Sequence, residues 1–150
     1  MTVSKVLFSS KDQTWGTPPD LFRGISQVHG PFLLDAATRE SNPLGTEYFY
    51  TEKENGLEQP WYNPTYVNPP YGRKIGDWIK KAYEESVKGN LVVMLIPART
   101  DTKWFHKYIY LRPKVQLSFL KGRLSMWNYD TNQPHPHKAP FPSMIVIFRP

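Results

Sequence analysis

The sequence predicts an α/β fold with a mainly parallel sheet and a C-terminal antiparallel strand, formed by a single domain over residues 1–150. Two observations carry that expectation. The extended run Pro64–Val67, a helix-periodic stretch and the apolar run Leu91–Ile96 make a βαβ unit, whose right-handed crossover leaves its two strands parallel. The polar loops Asn68-Pro69-Pro70-Tyr71 and Pro97-Ala98-Arg99-Thr100-Asp101-Thr102 each follow one of those strands. Open α/β sheets hold ligands beyond the carboxyl ends of their strands, so both loops are expected at one functional edge.

Taken in order, residues 1–14 are polar apart from Val6-Leu7-Phe8 and read as an N-terminal arm. Trp15-Gly16-Thr17-Pro18-Pro19-Asp20 reads as a helix start, with Thr17 as N-cap, Pro18 at the first helical position and Asp20 three residues after the cap. Leu21, Phe22, Ile25 and Val28 give this helix one apolar face, and Gly30-Pro31 ends it. Its N-terminus offers N–H groups and positive dipole character to a carboxylate. Phe32–Ala37 has the pattern of a short buried strand ending in an acid, Asp35, and two small residues that allow close approach. Tyr48-Phe49-Tyr50-Thr51 is the strand candidate among the turn signals Asn42-Pro43, Asn55-Gly56 and Asn63-Pro64. Of the flanking Glu47, Glu52 and Glu54, one is a candidate for a ligand's ribose hydroxyl, and the pattern does not choose among them.

Beyond Tyr71, Ile75, Trp78, Ile79, Ala82, Tyr83 and Val87 recur at helical spacing until Gly89-Asn90, with Lys74, Lys80, Lys81 and Lys88 on the solvated face. After the strand Leu91–Ile96, Thr100 or Asp101 caps a helix carrying Trp104, Phe105, Tyr108 and Ile109, which brings Arg99, Asp101 and His106 toward the loop of Asn68. Val115–Leu120 reads as a strand and Lys121-Gly122-Arg123 as a basic turn, with Leu124, Met126 and Trp127 as a hairpin partner. A long loop with four prolines, 128–142, precedes the closing strand Met144–Phe148.

Composition excludes several classes. Hydrophobic residues at 39% and aromatics at 15% are too many for a disordered chain. With no cysteine there is neither a disulfide framework nor a thiolate metal site, and His135-Pro136-His137, lacking an acid pair nearby, is too weak a ligand set for a metal to be expected. The run Leu91–Ile96 is too short to span a bilayer and Met1–Lys5 lacks a secretory h-region, so a soluble cytoplasmic protein without membrane attachment is expected. A net charge of +6 and a pI near 9.5 suit a polyanionic partner.

Asn68-Pro69-Pro70-Tyr71 carries the chemistry. A conjugated exocyclic amine is a poor nucleophile because its lone pair is delocalised. The Asn68 side-chain oxygen and the Pro69 carbonyl can each accept one N–H, freeing the lone pair toward an electrophile, and acceptors used this way must be fixed in advance. Two prolines supply the rigidity. Tyr71 offers a flat face on which a planar base can stack.

Six motifs occur in order: Trp15-x-Thr17-Pro18, Phe32-x-Leu34-Asp35-x-Ala37, Asn68-Pro69-Pro70-Tyr71-Gly72, Leu95 through His106, Gly122-Arg123-Leu124, and Ala139 through Met144. Together they resemble the phage DNA N-6-adenine methyltransferase family. The resemblance implies a Rossmann-like class I methyltransferase that uses S-adenosylmethionine. It makes Asn68, Pro69, Pro70 and Tyr71 the catalytic loop for a flipped adenine and puts Trp15, Thr17, Pro18, Asp35 and Ala36 on the cofactor side. Arg99, Thr100, Asp101, Lys103, Trp104, His106 and Arg123 fall on the DNA side, with Arg99, Lys103 and Arg123 as the phosphate contacts. The host bacterium's cytoplasm is the implied location, and a monomer and a homodimer are both compatible with the sequence. The chain departs from broader adenine methyltransferases where Ala36-Ala37-Thr38-Arg39 replaces a glycine-rich cofactor motif. Two other readings share the acceptor loop: a methyltransferase acting on RNA or a protein glutamine amide, and a non-catalytic DNA-binding module on the same fold.

Overall fold

A computed structural model describes residues 15–150, so the N-terminal arm expected over 1–14 lies outside the described residues. Helix α1 spans Pro19–His29, strand β1 Leu34–Asp35, β2 Tyr48–Phe49 and β3 Thr65–Val67. Helix α2 covers Ile75–Val87, followed by β4 (Val92–Pro97), a π-helical turn at Phe105–Ile109 and β5 (Val115–Phe119). A short hairpin of β6 (Trp127–Asn128) and β7 (Gln133–Pro134) precedes β8 (Ser143–Phe148).

The main sheet has the order β2-β1-β3-β4-β8-β5. Strands β2, β1, β3 and β4 are mutually parallel, and β8 runs antiparallel to both β4 and β5. Five strands therefore point the same way, and the mixed α/β, mainly parallel architecture is the Rossmann-like one expected. Strand β8 does not close an outer edge; it fills the space between β4 and β5. Trp127 likewise does not pair with β5 but with Pro134 and Gly16, and the strand antiparallel to β5 is β8.

Alternation along the strands sends side chains to two cores. On one face Leu34, Val67, Met94, Ile96, Val146 and Phe148 pack against Ile75, Trp78, Ile79 and Ala82 of α2 and against Phe105 and Ile109 of the π-helical turn. On the other, Tyr66, Val93, Leu95, Ile145 and Ile147 meet Ile25 of α1, Phe32, Met126, Ala139 and Phe141. All six positions of β4 and of β8 are buried, which makes these two strands the centre of the molecule.

Local readings shift at the helix ends. Thr17 is not the N-cap of α1. Pro18 holds that position without a side-chain bond and Pro19 is the first helical residue, because the buried Thr17 hydroxyl is spent on Tyr66, 2.7 Å away. Val28 and Val87, at the last turns of their helices, are 74% and 72% exposed rather than part of the apolar faces, since the sheet no longer runs beneath them. Lys81 leaves the solvated face altogether. Its ammonium donates to the carbonyls of Gly56, Leu57 and Gln59 and lies 5.2 Å over the Trp61 ring, and burial lowers its pKa. After β4, Thr102 rather than Thr100 or Asp101 caps the next turn. Its hydroxyl oxygen accepts from Phe105 N at 3.3 Å and donates to the Arg99 carbonyl at 2.8 Å.

Candidate active site

Because five strands share one direction, their carboxyl ends gather Asp35, the turn after Phe49, Asn68, Arg99 and the basic turn Lys121-Gly122-Arg123 along a single edge. The two halves expected from the motifs lie side by side there.

At the end of β3, Asn68 is held from both sides. Its Nδ2 donates to the Trp15 carbonyl at 3.1 Å, which fixes the amide so that Oδ1 faces away from Trp15. The Tyr71 hydroxyl lies 2.8 Å from Asn68 Oδ1 and 3.3 Å from the Leu95 carbonyl, and its single proton serves that pair of acceptors. An amide oxygen has two lone pairs, so Oδ1 retains one. Pro69 is buried and Pro70 exposed, and among the described residues no donor reaches the Pro69 carbonyl. The Tyr71 ring is partly buried, with Phe141 edge-on at 5.4 Å and 78°, and burial raises its phenol pKa.

At the end of β1, Asp35 is 1% exposed. Its Oδ1 accepts a long 3.4 Å bond from Ala37 N, and Oδ2 has no partner among the described residues. Burial pushes its pKa up to about 7, against the smaller opposing pull of hydrogen bonds from Ala37 and Thr38. Ala36, also buried, is covered by the turn at Asn55-Gly56. A Cβ on Gly56 would sit 2.1 Å from the Ala36 carbonyl, so only glycine fits there. Tyr66 carries Thr17 and is itself forced well above its ordinary pKa by burial, while Tyr129 is pushed to about 12 by burial and then by the Asp35 charge.

Three buried side-chain polar atoms have no partner among the described residues: Asp35 Oδ2, His135 Nδ1 and Ser143 Oγ; the Arg39 Nη1 atom meets Asp130 Oδ1 at 3.0 Å. Asp35 ends β1, Ser143 stands opposite Pro97 at the end of β4, and His135 stacks on Trp15 at 5.3 Å. Unsatisfied buried groups are rare in folded proteins, and their concentration along one edge marks a place built for a ligand.

The DNA-side residues are more dispersed. Arg99, Thr100, Asp101, Lys103 and Arg123 are exposed at the rim, Trp104 is partly buried against the α2 core, and His106 is exposed with its Nε2 2.8 Å from the Thr100 carbonyl. His106 thus braces its own loop.

The chain matches the family model described as DNA N-6-adenine-methyltransferase (Dam) over residues 3–150. It belongs to this family. A DNA N-6-adenine-methyltransferase of Escherichia phage T1 is 37% identical over 93 residues, a stretch that is 61% of this chain and 38% of the phage protein, so the chain matches well under half of that relative's length. The protein of the same name from Haemophilus phage HP1 (strain HP1c1) is 29% identical over 153 residues, covering all of this chain and 86% of that relative. No solved structure matches the chain.

For a DNA N-6-adenine-methyltransferase family member, the residues that motif reading overlooks are Gly16, Tyr66, Arg39, Trp127, Tyr129 and Asp130. Gly16 gave a signal, a glycine locked between Trp15 and Thr17: a Cβ there would lie 2.5 Å from the Tyr129 ring and 2.8 Å from the Trp127 carbonyl. Arg39 gave another by standing where a glycine-rich motif was expected. Of the remainder, Tyr66 lies in the run Pro64–Val67 read as a strand and Trp127 in the expected hairpin partner, while Tyr129 and Asp130 come from the segment 128–142 that sequence assigned to loop.

Proposed function

We propose that the chain transfers a methyl group from S-adenosylmethionine to N6 of an adenine flipped out of DNA. The observation that supports this best is the Asn68 carboxamide at the carboxyl end of β3, steered by the Trp15 carbonyl and the Tyr71 hydroxyl. Its remaining lone pair and the open Pro69 carbonyl give one acceptor for each N6 hydrogen. Held there, the amine is drawn from planarity and its lone pair projects away from the loop. Asn68 is far too weak a base to take a proton, so the N6 proton leaves to solvent only after the new N–C bond has made the nitrogen cationic. Flipping the base costs on the order of a few kcal/mol, which stacking on Tyr71 offsets.

When bound, S-adenosylmethionine supplies an electrophilic methyl carbon on a sulfonium centre. The residues of the β1 side fit it. A buried carboxylate with an open oxygen, Asp35, suits a cationic ligand group, and the missing phosphate cradle suits a cofactor without phosphates. The first turn of α1, where Pro18 and Pro19 carry no N–H and the amides of Asp20 and Leu21 have no helical partner, suits its carboxylate.

The ribose acid is Glu52 in this reading. Glu47 precedes β2 and so lies at the opposite end of the strand, and the Glu54 carboxylate is spent on the Thr51 amide and hydroxyl. Glu52 lines an open cleft of about 590 Å³ with Thr38, Arg39 and Thr51. Glu52→Gln is expected to raise the KM for S-adenosylmethionine about tenfold with little change in kcat, as loss of a binding contact does; an unchanged KM returns the assignment to the other acids.

The +6 charge and the rim carrying Lys103 and Arg123 suit DNA phosphates. Lys103→Ala and Arg123→Ala are each expected to reduce the salt dependence of DNA affinity by about one released counterion, measured as the slope of log K against log salt. Among the described residues no helix is long and apolar enough to cross a membrane, and the cytoplasm of a bacterial host supplies both DNA and cofactor. Incubation with labelled S-adenosylmethionine and unmethylated DNA, followed by digestion to nucleosides, tests the whole proposal. N6-methyldeoxyadenosine is the expected product; label found only in added RNA or protein overturns it.

A further inference from the structure

The segment between β5 and β8 crosses the site from one half to the other. Near the acceptor loop, His135 stacks on Trp15, the residue whose carbonyl holds Asn68. At mid-span, Trp127 exchanges two backbone hydrogen bonds with Gly16, at 2.7 and 2.9 Å, and the Tyr129 hydroxyl donates to the Thr17 carbonyl at 2.6 Å. At the tip, Asp130 meets Arg39 through two contacts, Nη1–Oδ1 at 3.0 Å and Nη2–Oδ2 at 3.3 Å. The Arg39 side chain is only 16% exposed, whereas Asp130 is 68% exposed. Both residues line the cleft that holds Glu52.

We propose that the hairpin of β6 and β7 is a strap that forms the outer wall of the cofactor cleft, and that the Arg39–Asp130 ion pair positions it there. The inference rests on assigning that cleft to S-adenosylmethionine. An exposed ion pair adds little to global stability, but this one joins residues 91 apart in sequence and ties the free end of a two-stranded ribbon to the loop after β1. A two-stranded ribbon is marginal by itself, and among the described residues the Arg39–Asp130 pair is the side-chain polar contact that joins its tip to the loop after β1. The two-point guanidinium–carboxylate geometry fixes orientation as well as distance. Arg39 and Asp130 are positioning residues: they shape the cleft's wall and leave the methyl-accepting groups on Asn68 and Pro69 untouched.

The test is a double-mutant cycle in the full chain, with cofactor affinity read by calorimetry and turnover on DNA read in parallel. Asp130→Ala and Arg39→Ala are each expected to weaken S-adenosylmethionine binding and raise its KM about tenfold, with a smaller fall in kcat at saturating cofactor. If the two act through each other, the double variant is no worse than the poorer single variant, and Asp130→Glu recovers most of the affinity. Melting temperatures separate this from unfolding, since Asp130 lies on an exposed turn. Wild-type affinity in both single variants overturns the strap, as do strictly multiplicative losses in the double variant. Wild-type protein that binds no S-adenosylmethionine overturns the cofactor assignment itself, a distinct result, and the strap falls with it.

Discussion

Asn68→Ala is expected to lower kcat by about 10²- to 10³-fold, the loss seen when one pre-organised electrostatic contact to a reacting group is removed, while S-adenosylmethionine affinity stays within about twofold. The side chain is joined to the rest of the site by its bonds to Trp15 and Tyr71. Tyr71 keeps the Leu95 carbonyl as an acceptor after the change. Asn68→Asp sharpens the result. It retains an acceptor but turns an oxygen toward the Trp15 carbonyl where a donor had been, so its rate should lie between those of wild type and alanine. Single-turnover methylation of a DNA duplex measures both. A wild-type rate in Asn68→Ala removes the acceptor loop from the mechanism.

Asp35→Asn is expected to move stability and cofactor binding in opposite directions. In the folded protein Asp35 titrates near 7, above its ordinary value of 3.8, so the native state holds a proton that the unfolded chain has lost between those limits. Stability therefore falls as pH rises from about 3.8 to about 7 and stays reduced above that, by roughly a few kcal/mol for a buried carboxylate. Asparagine carries no such cost. Its melting temperature should match wild type near pH 3 and exceed it at pH 8. Cofactor affinity should fall by about 10²-fold at pH 8, the loss of a charged hydrogen bond. Wild-type affinity for the cationic cofactor should itself increase as pH rises through 7 and then level off, because the cation binds the carboxylate form. Thermal melts and calorimetry at pH 3, 6 and 8 decide the matter; a variant less stable than wild type at pH 8 would show Asp35 to be satisfied in the native protein.

The acceptor loop was legible in sequence because its rigidity is local: two prolines after a strand determine their own backbone. The βαβ unit was legible for the same reason, since α2 and β4 declare themselves by period and by a continuous apolar run. What sequence could not supply was competition from distant partners. Thr17 has the chemistry of an N-cap, but Tyr66, 49 residues away, takes its hydroxyl. Lys81 falls on the polar side of its helix, yet the carbonyls of the Gly56 turn capture it. Trp127 follows β5 closely enough to suggest a hairpin until β8 returns to occupy that edge. The missing glycine-rich motif marks the loop of Arg39, but nothing local in the sequence pairs it with Asp130, 91 residues away.

The place of β8 has a consequence for how the molecule comes into being. Its six residues pair with β4, roughly fifty positions earlier, and with β5 on the other side. Until residues 143–148 emerge from the ribosome, the apolar edge of β4 has no neighbour and β5 has no sheet to join. Long-range pairing of this kind is slow to form and late to reward. The sheet beneath Asn68-Pro69-Pro70-Tyr71 is therefore complete only once residues 143–148 are in place between β4 and β5.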